Sequence, residues 1–235
     1  DEGWVARRLG LLDRHGEAAA ASPLRYRVDR AQTSLNRYFA LMGANDPVAY
    51  YLGKADRLGH AEDRWTLLGD AVDHGGYYLV RFDPDHFPTV GANGYMVRRA
   101  LLAEAGLGPD NFIDMDAAWD LARLGHDRHI FVKDDILHET ALTLGSFLFK
   151  RYRYMRVHQH ARGRIRRWSL VGRGDYGRLI LFVLASITLV VPLGTALRGC
   201  WKKPDPAWFW NPVVCAALAL VYGWGVLVGR VSPRK

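Results

Sequence analysis

Gly91-Ala92-Asn93-Gly94-Tyr95-Met96-Val97-Arg98-Arg99 is the stretch on which the fold turns. Asn93-Gly94 is a strong turn signal, since both residues tolerate positive φ, so these small residues form either a tight loop or a place where a ligand approaches the backbone. Upstream, Tyr77 to Phe82 alternates like a strand and is closed by the turn signals Pro84, Pro88 and Gly91. Downstream, a helix is predicted from Val97 to Ala105 and a second from Asp116 to Leu124, ended by Gly125, before a last strand at His129 to Lys133. Further out, Trp4 to His15 reads as a helix ended by Gly16, Ala18 to Ala21 as a short buried strand, and Ser34 to Met42 as a helix preceded by capping residues. Asp46-Pro47 opens another helical turn through Tyr50, Tyr51 and Leu52. Helices alternating with short strands make residues 1–149 an α/β domain.

The 235 residues carry a net charge of +8 that is split unevenly. Residues 1–149 hold 16 Lys/Arg against 22 Asp/Glu, and residues 150–235 hold 16 against 2. The first part is too rich in aromatic and aliphatic residues for disorder, and the second is no plain soluble globule. The 19 residues from Leu179 to Leu197 and the 24 from Pro206 to Gly229 contain no charge. At 1.5 Å per residue either reaches across a hydrocarbon core of about 30 Å. Two membrane helices at 179–197 and 206–229 are therefore expected, the first kinked at Pro192. The basic segment 150–178 and the basic tail place both termini on the cytoplasmic side by the positive-inside rule, with the loop at 198–205 on the other side. Multi-pass insertion in the cell membrane follows. Cys200 and Cys215 lie in apolar sequence without metal-ligand spacing and read as reduced.

Three stretches could carry chemistry. The first is Gly91 to Gly94. The second is Ile113-Asp114-Met115-Asp116, where an Asp either caps the following helix or is a carboxylate aimed into a cleft as a general base. The third runs from His138 to Arg156, with Leu144, Leu148, Tyr152 and Met155 near one helical face and Lys150, Arg151, Arg153 and Arg156 on the others. Such a helix suits anionic headgroups, and its cations could also clamp a diphosphate. His126 with His129, and His158 with His160, have loose metal spacing but read as surface or headgroup histidines. The Arg/Tyr interleaving at 150–167 needs no nucleic-acid partner, because membrane flanks explain it. No Walker loop, GxGxxG or GxSxG occurs.

The order of these motifs, from the Gly-Ala-Asn-Gly loop running into Tyr95 to Arg99, through the acidic pair before a helix, a strand, His138-Glu139 and a basic aromatic helix, to membrane segments, resembles the family 2 glycosyltransferases. The resemblance covers roughly residues 1–156 and implies the acceptor-side portion of a GT-A (Rossmann-like) fold. Asp1-Glu2-Gly3-Trp4 resembles the segment after that family's Asp-x-Asp metal motif, which is absent here. On this resemblance the chain is the back half of a longer enzyme, whose divalent metal (Mg or Mn) has its main ligands outside these residues. Asp114 takes the position of the general base that activates the acceptor hydroxyl, and Asp116 is the next acidic position of that motif. Gly91, Ala92, Asn93 and Gly94 match the loop shaping the acceptor and donor-sugar pocket. Lys150, Arg153 and Tyr154 lie where processive members carry Gln-x-x-Arg-Trp, and His138 matches a histidine that contacts metal or diphosphate. Ile113 replaces the usual Glu, and Lys150 and Tyr154 replace Gln and Trp, so single-sugar transfer is expected over polymer synthesis.

The function so implied is transfer of a sugar from a nucleotide-sugar donor to a lipid-linked or glycan acceptor at the cytoplasmic membrane face. The rival from another class is a non-catalytic membrane-anchored module that binds a sugar or a partner.

Overall fold

The computed structural model describes residues 2–161 and 166–231. Asp1, the stretch 162–165 of the basic segment and the tail at 232–235 lie outside the described residues, as do the side chains of His158 and His160 and those from residue 226 onward. A mixed five-stranded sheet organises the α/β part, in the order β2-β3-β5-β1-β4. Its centre is β1 (Ala18–Tyr26) running parallel to β5 (Arg128–Ile136). On the far side of β5, β3 (Tyr77–Arg81) pairs antiparallel, followed by β2 (Asp70–Asp73). The two-residue β4 (Met96–Val97) closes the other edge against Ala20 and Ala21.

The period-two alternation sorts side chains to two covers. Ile130 and Val132 of β5 and Tyr77 of β3 join Leu11 and Leu12 of α1 (Glu2–Arg14) on one face. Phe131, Tyr78 and Val80 meet Ala118 and Ala122 of α5 (Asp114–Arg123) on the other. β1 runs five residues beyond the expected Ala21 end. Ser22-Pro23 looks like a terminator, yet a register irregularity between Pro23 and Arg25 absorbs the proline. The helix expected at 97–105 is α4 (Arg99–Glu104), because Met96 and Val97 are used as β4.

Helix α2 (Ser34–Met42) is capped by the Thr33 hydroxyl, and α3 (Pro47–Tyr51) by the Asp46 carboxylate with Pro47 at its start. The apolar face of α2 packs against the C-terminal helices: Tyr38, Phe39 and Leu41 share a core with Phe147 of α6 (Leu144–Ala161), Ala196, Trp208 and Leu218. Gly199 admits the Trp208 ring, since a Cβ there would stand 2.5 Å from it.

Two expectations for this region are corrected. The segment 179–197 is not one helix: α7 (Tyr176–Thr188) and α8 (Val190–Lys202) meet at 82° around Leu189, which takes φ 60°. Pro192 is not the kink. It sits in the first turn of α8, where a missing N–H leaves nothing unpaired. The 198–205 loop, expected across a bilayer from the α/β domain, is ion-paired to it. Arg198 pairs with Glu62 at 2.7 Å and Asp205 with Arg37 at 3.0 Å, so the loop lies on the α/β domain. Among the described residues one helical segment, Pro206–Gly225, is long and apolar enough to cross a bilayer, or two if the bent pair counts as one. Most of it belongs to α9 (Trp210–Val231).

Candidate functional site

The loop from Gly91 to Gly94 is built almost wholly from left-handed backbone, with φ of 129°, 54° and 84° at Gly91, Asn93 and Gly94. Gly91 has a steric reason beyond its φ. A Cβ on it would lie 2.5 Å from the carbonyl oxygen of Asp114, so the loop backbone rests directly on the first turn of α5. At the other end, Gly94 packs beside the Trp4 indole and Ile136. The Trp4 ring in turn carries the Arg8 guanidinium 3.4 Å from its centroid. Arg8 is fully buried and donates two hydrogen bonds to the Asp134 carboxylate, at 2.7 and 3.0 Å.

Beneath the loop is a buried polar cluster that no sequence motif announces. Arg57, fully buried, donates to the carbonyls of Asp56, Ala92 and Asn93 at 2.7, 3.0 and 2.9 Å. Tyr26, at the end of β1, donates its hydroxyl to Asp56 at 2.8 Å and accepts from the amides of Asn45 and Asn93. The loop is therefore held from below by one guanidinium and one phenol. The available signal was Lys54-Ala55-Asp56-Arg57, three charges between Gly53 and Gly59 in an otherwise apolar stretch. Lys54 is itself a bridge: its carbonyl accepts from the N–H and the hydroxyl of Thr89, and its ammonium holds Asp175 at 2.6 Å and the Leu170 carbonyl.

Of the two acidic candidates, Asp114 is half-buried in the first turn of α5, with Oδ1 accepting the Met115 N–H at 2.8 Å. Asp116 is a different case. It is fully buried, 3.1 Å from the Arg166 guanidinium, and accepts the Arg167 N–H at 2.9 Å. Its carboxylate ties the segment entering the C-terminal helices onto α5 and cannot meet a substrate, so it is corrected from a catalytic to an anchoring residue.

His138 stacks on Tyr26 with ring centroids 5.4 Å apart, and burial lowers its imidazole below the ordinary histidine range, with Lys150, Arg57 and Arg151 opposing its charge as well. Among the described residues no group of three or more His, Cys, Asp or Glu side chains could hold an ion, and His138 stands between the Asp56 carboxylate and the cations Lys150, Arg57 and Arg151. On α6, Lys150 lies near the Tyr154 ring, at 5.8 Å, while Arg153 and Tyr154 are exposed. Arg151 points inward in place of Arg153, 3.6 Å from Asp46 and donating to the Asn45 carbonyl. The helical spacing explains the exchange, because 147, 151 and 155 form the buried row and 153 falls opposite.

The structure thus joins the Gly91–Gly94 loop and His138 to the Tyr26–Arg57 cluster, sets Lys150 near His138 and the backbone of Asp114 under Gly91, and leaves Asp116 buried and Arg153 and Tyr154 exposed. Arg98 is structural: its guanidinium donates to the Ala18 and His15 carbonyls, fastening the end of α1. His129, read as a surface residue, is fully buried among Phe82, Phe87 and Tyr95, because in β5 it shares the α5 face with Phe131. Surface depressions of about 250 Å³ beside Arg25 and Lys133, and about 470 Å³ along Trp119 and Arg123, include none of the assembled residues. Comparisons with family models, with curated proteins and with solved structures return no match.

Proposed function

We propose that this chain is the acceptor-side portion of a GT-A glycosyltransferase that works at the cytoplasmic face of the cell membrane. The observation that carries the reading is the seating of the Gly91–Gly94 backbone on the first turn of α5, beside a half-buried carboxylate at Asp114. In this reading Asp114 takes the proton from an acceptor hydroxyl as that oxygen attacks the anomeric carbon of a nucleotide-sugar. The nucleoside diphosphate departs from the opposite face, inverting the centre. A base contributes by sitting within hydrogen-bond reach of the proton it removes, typically a factor of 10²–10⁴ in rate. In the same reading Lys150 supplies a positive charge for the diphosphate, and His138, kept neutral by burial, an N–H donor. The acceptor is lipid-linked or a glycan, consistent with the apolar helices beside the site. The divalent metal of such chemistry would be held outside this chain, and no step here depends on it.

The test is Asp114→Asn in the native chain, assayed in membranes with a panel of UDP- and GDP-sugars. Transfer is expected to fall by about 10²–10⁴-fold while stability is kept. Turnover near that of the parent would refute the assignment and leave a sugar- or partner-binding module, the reading that Ile113 in place of a glutamate favours.

A further inference from the structure

Helices α7, α8 and α9 each carry one outward apolar stripe. On α7, Ile180, Leu184 and Ile187 recur at helical spacing, each more than half exposed. Val190, Leu193, Leu197 and Trp201 form an exposed row at helical spacing on α8. On α9 the row is Val213, Leu220 and Trp224, continued by Phe209 in the turn just before it. An apolar surface running over three helices exceeds what a soluble monomer leaves bare. Its polar groups identify the occupant. The hydroxyls of Thr188 and Thr195 are each satisfied by a carbonyl of their own helix, at 3.0 Å. Hydrocarbon demands such internal satisfaction, whereas a protein partner is met by about one hydrogen bond per 100–200 Å². Arg198 and Lys202 rim the patch, and Trp201 and Trp224 end two of the stripes, as rings at headgroup level do.

The same helices are fastened to the α/β domain along their length. Arg178 of α7 donates to the Leu52 carbonyl, and the far end of α8 is held through Arg198 and Glu62. Tyr51 of α3 touches both arms, its ring 5.5 Å from Phe182 and its hydroxyl 3.4 Å from Thr195. On α9, Asn211 accepts from Tyr38, and half the helix further on Tyr222 donates to Asp46 at 2.7 Å. Eleven residues separate those two anchors, about 17 Å of helix, against a hydrocarbon core of about 30 Å. A helix bonded to one water-borne domain at both points does not cross a bilayer between them.

We propose that α7–α9 form a monotopic platform lying in the plane of one leaflet, with the three stripes among the upper acyl chains and the α/β domain riding on the same side as the 198–205 loop. This assignment stands whether or not Asp114 is a base. The experiment uses the full chain with Cys200→Ser, reconstituted in sealed phosphatidylcholine/phosphatidylglycerol vesicles. Cysteines are placed singly at Lys203 in the loop, Asp13 on exposed α1 and Ile187 on a stripe. A membrane-impermeant maleimide is expected to label Lys203→Cys and Asp13→Cys from the same side. Labelling of Lys203→Cys from the side opposite to Asp13→Cys would overturn the proposal. A fluorophore on Ile187→Cys is expected to be quenched by lipids brominated near the top of the acyl chain; stronger quenching from chain-end bromines would overturn it. Ile187→Glu with Leu197→Glu, both at positions outside the protein core, should weaken vesicle binding more than tenfold, and unchanged or absent parental binding would also refute it.

Discussion

Replacing Arg57 by Met keeps an unbranched chain of similar length and removes the one guanidinium beneath the Gly91–Gly94 loop. Three carbonyls, those of Asp56, Ala92 and Asn93, lose their donor, and the Asp56 carboxylate, itself 6% exposed, keeps only the Tyr26 hydroxyl. Three net hydrogen bonds at about 1 kcal/mol each, or one broken buried ion pair at about 3–5 kcal/mol, bound the same loss in two ways. The expected destabilisation is about 3–5 kcal/mol, a large part of a typical domain's 5–15 kcal/mol. Urea unfolding in mild detergent, followed by tryptophan fluorescence, measures it as a lower midpoint at unchanged slope. Adding Asp56→Asn should restore part of the loss, because it removes the carboxylate that Arg57→Met strands. A loss below about 1 kcal/mol, or a double variant as unstable as the sum of the singles, would refute the view that this guanidinium holds the loop.

The remaining predictions follow from equally local facts. Burial holds the His129 imidazole at about 3, so the folded protein keeps it neutral while the unfolded chain takes up a proton below its ordinary value near 6.5. Its effect is absent above that value and costs stability as pH falls toward 3, by about 1.4 kcal/mol per unit. His129→Leu should flatten the urea midpoint over that window, and an unchanged pH slope would show that the group does not titrate on unfolding. Gly91→Ala should cost about 1–3 kcal/mol in a thermal melt, since it adds a contact with the Asp114 carbonyl to an unfavourable φ. Gly75→Ala, at φ 77° with open space around its Cβ, should cost less than Gly91→Ala; equal losses would mean that the close approach to α5 carries no weight.

Legibility in the sequence followed the range of the physics. Ser34–Met42, Pro47–Tyr51 and Tyr77–Arg81 were readable because their caps and periodicity are local. The edge strands at 70–73 and 96–97 were not, because four and two residues carry no period and are strands only by virtue of a partner. In the candidate site, the Gly91–Gly94 loop and Asp114 announced themselves through turn chemistry and position, whereas Tyr26, Asp56 and Arg57 needed contacts across 30 residues or more to mean anything. Arg151 and Arg153 illustrate the finest grain. Both lie on a basic helix, and only the packing of Phe147 decides which of them turns inward. The C-terminal segments were legible only as apolar: a charge-free run measures solubility in oil, and the contacts that hold parts of these helices beside the α/β domain come from Glu62, Arg37 and Asp46, far away in the chain.

Lys54 joins regions that would otherwise be mechanically separate. Its ammonium grips Asp175, just before α7, while its carbonyl grips Thr89, two residues before Gly91. On the platform proposed above, a leaflet that presses on α7 loads the same residue that seats the loop. Loop and helix are then two ends of one lever, and neither can be reseated independently of the other.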